Sequence, residues 1–191
     1  MQEKKSRVLI LGHGEMGQAM EFLLAPHQPL RIWQRRPAAG DTPVNLEEAV
    51  PVSDFILFCL PATAHADVAA RIAPLLRGTS LCLSIAKGLD ERGRLPAAVL
   101  TEALGTARVA VLYGPMISEE IRAGKPAFAE CGTPEPAAYE RIAALYRGTA
   151  LRLEHSRDIT GLSWSAILKN VYALAFGMAD ELNLGDNTRG F

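Results

Sequence analysis

The run Gly12-His13-Gly14-Glu15-Met16-Gly17 follows directly on the apolar stretch Val8 to Leu11 and opens a segment with helical apolar spacing. In that context G-x-G-x-x-G is informative. The first glycine makes a tight turn, the second lets a pyrophosphate approach the backbone, and the third lets helix and strand pack closely. Free N–H groups and the dipole of the helix start would hold the phosphate charge. A bare strand-to-helix turn is the plain alternative, but the N-terminal position and the strand that follows favour a bound dinucleotide. At the end of that strand, Trp33-Gln34-Arg35-Arg36 stands where an NAD-preferring site carries an acid for the ribose 2′-hydroxyl. Two guanidiniums there suit the 2′-phosphate of NADP or stack on adenine, against the blander reading of a solvated surface pair. The expected cofactor is NADP, with NAD as the alternative.

Two lysines have unusual surroundings. Lys87, in SLCLSIAKGLD, comes straight after an apolar strand and before a glycine, so it projects from the carboxyl end of a sheet strand, the edge where open α/β sheets bind ligands. A solvated loop lysine is the alternative. Lys169 lies among Trp164, Ile167, Leu168, Val171, Leu174, Ala175 and Met178, which on a helix cover nearly the whole surface. Its ammonium must snorkel, pair or face a polar cleft, and a buried amine there would suit acid–base work.

The elements that would position these groups can be read from periodicity. Apolar runs recur at Val8 to Leu11, Leu30 to Trp33, Phe55 to Leu60, Leu81 to Ile85 and Val109 to Leu112, and more weakly at Ala127 to Glu130 and Ala150 to Leu153. Continuous rather than alternating apolarity marks strands covered on both faces. Helical patterns lie between them, at residues 15–25, 46–49, 63–76, 96–104, 117–123 and 136–147. The alternation predicts an α/β doubly wound, mostly parallel sheet. Pro96 and Pro136 suit first turns, whereas Pro74 should kink or end its helix. Charge density falls after Arg157, so a second unit is expected from about residue 155.

Composition narrows the function classes. Twenty Lys and Arg balance 21 Asp and Glu, for a net charge of −1, which gives no global reason to bind nucleic acid. Cys59, Cys82 and Cys131 are odd in number and far apart, matching neither a disulfide framework nor a metal motif. No metal is expected, and the apolar run at residues 8–11 is too short for a signal-peptide core, so the protein is expected to be cytoplasmic. Ile159 to Ala179 is long enough for a membrane span, but Lys169 at its middle makes a buried protein helix the better reading.

Four blocks, in order, carry a family likeness: GHGEMG, SIAKGLD, LYGPMISEEIRAGKP and ILKNVYALAFGMADELNLGDN. Together the chain resembles the bacterial type of NAD(P)-dependent glycerol-3-phosphate dehydrogenase. The resemblance implies a Rossmann-like cofactor domain over residues 1–154, followed at 155–191 by the first long helix of an all-α substrate domain. It implies cofactor contacts at Gly12, His13, Gly14, Glu15, Met16 and Gly17, at Arg35 and Arg36, at Lys87 and at Ser118. Lys87, Gly114, Met116, Lys169 and Asn170 would meet a small phosphorylated substrate. Lys169 would be the proton donor and acceptor and Lys87 its catalytic companion, in reversible hydride transfer between dihydroxyacetone phosphate and glycerol 3-phosphate. Met116 stands where the family usually has a small hydroxyl residue, and Ser163 where a Glu is usual. The Arg-Asn pair with which the family grips phosphate would lie beyond Phe191, so a binding module with little turnover is the alternative. The nearly all-apolar 159–179 segment further predicts a homodimer through residues 159–184.

Overall fold

The continuously apolar runs become the central strands. In the computed structural model, which describes residues 5–37, 40 and 42–190, strands β1 (Val8–Leu11), β2 (Leu30–Trp33), β3 (Phe55–Phe58), β4 (Leu81–Ser84), β5 (Val109–Tyr113), β6 (Ala127–Gly132) and β7 (Leu151–Ser156) form one sheet of order β2-β1-β3-β4-β5-β6-β7. Pairing is parallel except between β5 and β6. β1, β3 and β5 are buried at every residue, as strands covered on both faces must be. Alternate residues feed two cores. Val8, Ile10, Leu57 and Leu83 face α1 (Glu15–Leu24) and α6 (Pro136–Leu145), while Leu9, Leu11, Ile56 and Phe58 face α3 (His65–Ile72) and α4 (Pro96–Leu104).

The chain order sets the ligand site. After β2 the chain passes the short helix α2 (Leu46–Ala49) and crosses back over β1 to β3. The winding therefore reverses at β1, and in such sheets ligands lie outside the carboxyl ends of the strands at that switch point. Gly12 to Gly17 fill the turn there. Pro74 ends the helix begun at His65, and residues 73–75 make a tighter 3-10 turn, because proline removes an amide the α-helix needs. β3 stops at Phe58, two residues early, while β6 and β7 extend beyond their expected ends.

One expectation is corrected. The 159–179 segment forms a single helix, α7 (Ile159–Glu181), whose start is capped by the Asp158 carboxylate accepting from the Gly161 amide at 2.7 Å. The helix is not buried: Ser163 is its only buried residue. Its first turns pack on β5, β6 and α4. Beyond them it outruns the sheet, leaving Tyr172 60%, Leu174 67% and Met178 63% exposed, followed by α8 (Gly185–Gly190). A 23-residue helix is longer than the strands it crosses, so the sheet does not cover it along its whole length. No helix among the described residues is long and apolar enough to cross a membrane.

Candidate functional site

The three glycines of the turn have different reasons to be glycine. Gly12 has φ +94°, and a Cβ there would lie 2.5 Å from the Cys59 carbonyl oxygen. A Cβ on Gly17 would run into the Gly12 carbonyl. Gly14 is different: φ is −73°, open to any residue, and a Cβ would meet nothing within 4 Å. Neither backbone nor packing demands glycine at 14, so the turn presents an open cradle directly before the α1 amides that lack intrahelical acceptors. A dinucleotide pyrophosphate fits that cradle in size and charge. The Gly12 amide donates to the Trp33 carbonyl at 2.8 Å, which ties the cradle to the end of β2. Arg35 and Arg36 follow after Gln34 and are exposed. His13 turns aside, its Nε2 at 2.7 Å from a Glu21 carboxylate oxygen.

A second element closes on the same turn. Helix α5 (Ser118–Arg122) packs against α1. Ser118 donates its hydroxyl proton to Glu15 at 3.1 Å, and Arg122 reaches both Glu15, at 2.5 Å, and the Gln18 side chain, at 2.8 Å. Sequence reasoning placed Glu15 and Ser118 at one site; the structure brings them into contact and adds Arg122 and Gln18.

The two lysines meet. Lys87, just beyond β4, and Lys169, on α7, line one cavity of about 290 Å³ with Tyr113, Gly114, Pro115, Glu130 and Ser165. A neighbouring cavity, also about 290 Å³, is lined by Met16, Cys59 to Ala62, Ile85 to Lys87 and Met116. Lys87 lines both and so stands where the glycine-turn side and the α7 side join. Partial burial pulls its pKa below the usual lysine value, and the positive charge of Lys169 adds to the effect. Met116 is buried and sits with Met16 rather than with Lys169. Asn170 is exposed and lies outside the lysine cavity. Lys169 is itself exposed and lines the cavity, so of the ways open to an ammonium on so apolar a helix it faces a cleft and is not buried. The cause is the bare stretch of α7 that carries it.

Groups that sequence reasoning passed over hold Lys87 in place. The Tyr113 hydroxyl donates to the Ala86 carbonyl at 2.8 Å, and the Ala86 amide donates to Ser84 Oγ at 3.2 Å. His65, fully buried, spans Ser84 Oγ at 2.9 Å and the Pro61 carbonyl at 3.0 Å. A carbonyl only accepts, so Nδ1 carries the proton and Nε2 accepts from Ser84. Burial lowers the His65 pKa, partly offset by the Pro61 carbonyl. It also pushes the Tyr113 phenol up to about 12, with Ser163 and Ser84 hydroxyls pulling the other way. Ser163, where a carboxylate was expected, is buried and donates to the Ile159 carbonyl at 2.6 Å. Cys82 and Cys131, their thiols pushed up to about 12 by burial, and Cys59, pushed higher still, are core groups rather than nucleophiles. Glu130 was legible only as a strand end. Its exposure follows from the in–out alternation of β6.

Comparison with known proteins gives consistent matches. The family model for the N-terminus of NAD-dependent glycerol-3-phosphate dehydrogenase matches residues 41–137, and the model for its C-terminus matches 158–191. The glycerol-3-phosphate dehydrogenase [NAD(P)+] of Synechocystis is 31% identical over 96% of this chain, and that of Deinococcus radiodurans 34% over 96%. The crystal structure of the Coxiella burnetii glycerol-3-phosphate dehydrogenase superposes with a TM-score of 0.83 at 25% identity, over 97% of this chain and 64% of that one. A prephenate dehydrogenase from A. aeolicus shares the fold at a TM-score of 0.68 and 12% identity, over 95% of this chain and 71% of that one. The chain spans 57% of the Synechocystis protein and 62% of the Deinococcus one.

Proposed function

The chain belongs to the NAD-dependent glycerol-3-phosphate dehydrogenase family, and from that premise we propose that it binds NADP(H), with NAD as the lesser partner, and interconverts dihydroxyacetone phosphate and glycerol 3-phosphate. Residues 1–154 act as the cofactor domain and 155–191 begin the substrate domain. The observation that carries this reading is Lys87, which lines both the cavity beside the glycine turn and the cavity holding Lys169.

The amides at the start of α1 would hold the phosphates of a dinucleotide at the cradle, with Arg35 and Arg36 on its 2′-phosphate, and the bound cofactor would supply hydride chemistry there. Lys87, kept near the Tyr113–Ala86 bond, orients and polarises the C2 carbonyl of the substrate, and Lys169 delivers a proton to the oxygen as it becomes a hydroxyl. In the reverse direction Lys169 takes that proton back. Gly114 lets the cavity wall lie against the β6 backbone, where a Cβ would meet the Phe128 carbonyl, and Met116 closes the cofactor side. The reading includes a cytoplasmic setting, in keeping with free thiols at Cys59, Cys82 and Cys131.

The test is NADPH oxidation with dihydroxyacetone phosphate, read as loss of nicotinamide absorbance. Lys169→Ala should lower kcat by about 10²- to 10⁴-fold, the usual contribution of a positioned acid, while NADPH binding persists. NADPH binding without turnover in the parent chain would leave a binding module. Equal affinity for NADH, or no loss in the Arg35→Ala, Arg36→Ala double variant, would remove the NADP preference.

We also infer self-association through residues 159–184. Trp164, Leu168, Tyr172 and Phe176 are each 40% or more exposed, a contiguous apolar surface that soluble monomers rarely leave open.

A further inference from the structure

Glu15 places a carboxylate on the first turn of α1, one residue after the open cradle at Gly14. A negative charge is favourable at a helix start, but a phosphate is drawn to the same place by the same field, so the two anions repel. The structure shows how Glu15 is held. Its Oε2 accepts from the Ser118 hydroxyl and from the Arg122 guanidinium, both on α5, while the other arm of Arg122 donates to Gln18 one helical turn on. The guanidinium thus spans the outer side of the first turn and draws the carboxylate toward α5. The carboxylate is paired, and both of its partners lie on α5.

We propose that Arg122 is a positioning residue for the dinucleotide, which neutralises Glu15 and holds it clear of the phosphate seat. The proposal rests on the dinucleotide reading above and deepens it. Arg122 touches no cofactor atom in this account; it acts through Glu15. Removing it frees a charged side chain beside the phosphates, and like charges a few ångströms apart at a protein surface weaken binding by about tenfold.

NADPH fluorescence titrations of the 191-residue chain and three variants test this. Arg122→Ala should weaken NADPH binding by about tenfold at low ionic strength, and by less at about 0.5 M salt, where screening shortens the reach of the charge. Glu15→Gln keeps the backbone amide through which residue 15 at the start of α1 would meet the phosphates and removes only the side-chain charge, so alone it should bind as the parent or tighter. The double variant Arg122→Ala, Glu15→Gln should return to within about twofold of the parent. That rescue separates the roles, because a mere clamp between α5 and α1 stays broken in the double variant. Arg122→Gln replaces the alanine variant if the latter does not fold, with the same expectation. The proposal is overturned if Arg122→Ala binds within twofold of the parent, if the double variant binds as weakly as Arg122→Ala, or if Glu15→Gln alone weakens binding. A parent chain with no NADPH response overturns the dinucleotide reading, and this proposal with it.

Discussion

At the scale of single residues, Lys87 and His65 show what placement does to a side chain. Lys87 carries its charge to a lower pH limit than an ordinary lysine, because partial burial and the facing Lys169 both disfavour the ammonium. Retention of a phosphorylated substrate should therefore fall as pH rises toward 10.5, earlier than for a free lysine. Lys87→Arg, charged throughout, should extend binding of glycerol 3-phosphate further into the alkaline range. An identical alkaline limb in both proteins would show that Lys87 does not set it. His65 works through stability. Its folded pKa lies below the unfolded value of 6.5, so the unfolded chain takes up the proton first as pH falls. The stability tied to its neutral form is whole above pH 6.5 and is lost as pH falls below it toward the folded value. Melting temperature should drop between pH 7.5 and 5.5. Replacing the ring by His65→Gln should flatten that slope while lowering stability at neutral pH.

At the scale of elements, the glycine turn makes the sharpest division between folding and binding. Gly12→Ala and Gly17→Ala meet backbone oxygens, and each should cost about 2 kcal/mol or more, Gly12 also for its positive φ. Gly14→Ala meets nothing, so it should cost less than about 1 kcal/mol, the usual loss for alanine at an N-cap. Yet it places a methyl in the cradle and should weaken NADPH binding more than either of the others relative to its stability cost. Thermal melts and NADPH titrations on the three variants check the contrast. A Gly14→Ala protein that binds NADPH normally would mean the cradle is not the phosphate seat. Strands β1, β3 and β5 were readable in the sequence because burial on both faces leaves an unbroken apolar run, and the glycine turn because its spacing is geometric. The Tyr113–Ala86–Ser84–His65 chain was not: its members lie up to 48 positions apart and meet only after β3, β4 and β5 are side by side. Glu15 was legible as a site residue, but Arg122 is invisible until α5 docks on α1.

At the scale of the whole molecule, the sheet is self-sufficient and α7 is not. Both faces of β1, β3 and β5 are covered within the chain, so a core truncation such as Leu57→Ala should cost about 3 kcal/mol in the isolated chain. The apolar side chains along the outer stripe of α7 and at its C-terminal end have no such cover: Trp164 is 42%, Tyr172 60%, Phe176 44% and Leu182 67% exposed. The sequence showed that this helix is apolar all round, but its periodicity cannot say whether the same chain supplies the cover. Enclosing the stripe against a second copy would remove roughly 400 Å² from water, on the order of 10 kcal/mol at about 25 cal/mol per Å² before association costs. A stripe that covers itself is met most simply by two-fold symmetry. Light scattering at micromolar concentration should then report twice the 20.6 kDa chain mass. The Trp164→Asp, Phe176→Asp double variant should return the chain to a monomer with the melting behaviour of the sheet intact, since neither residue belongs to the buried core. A soluble monomer of the unmodified chain would refute self-association through α7.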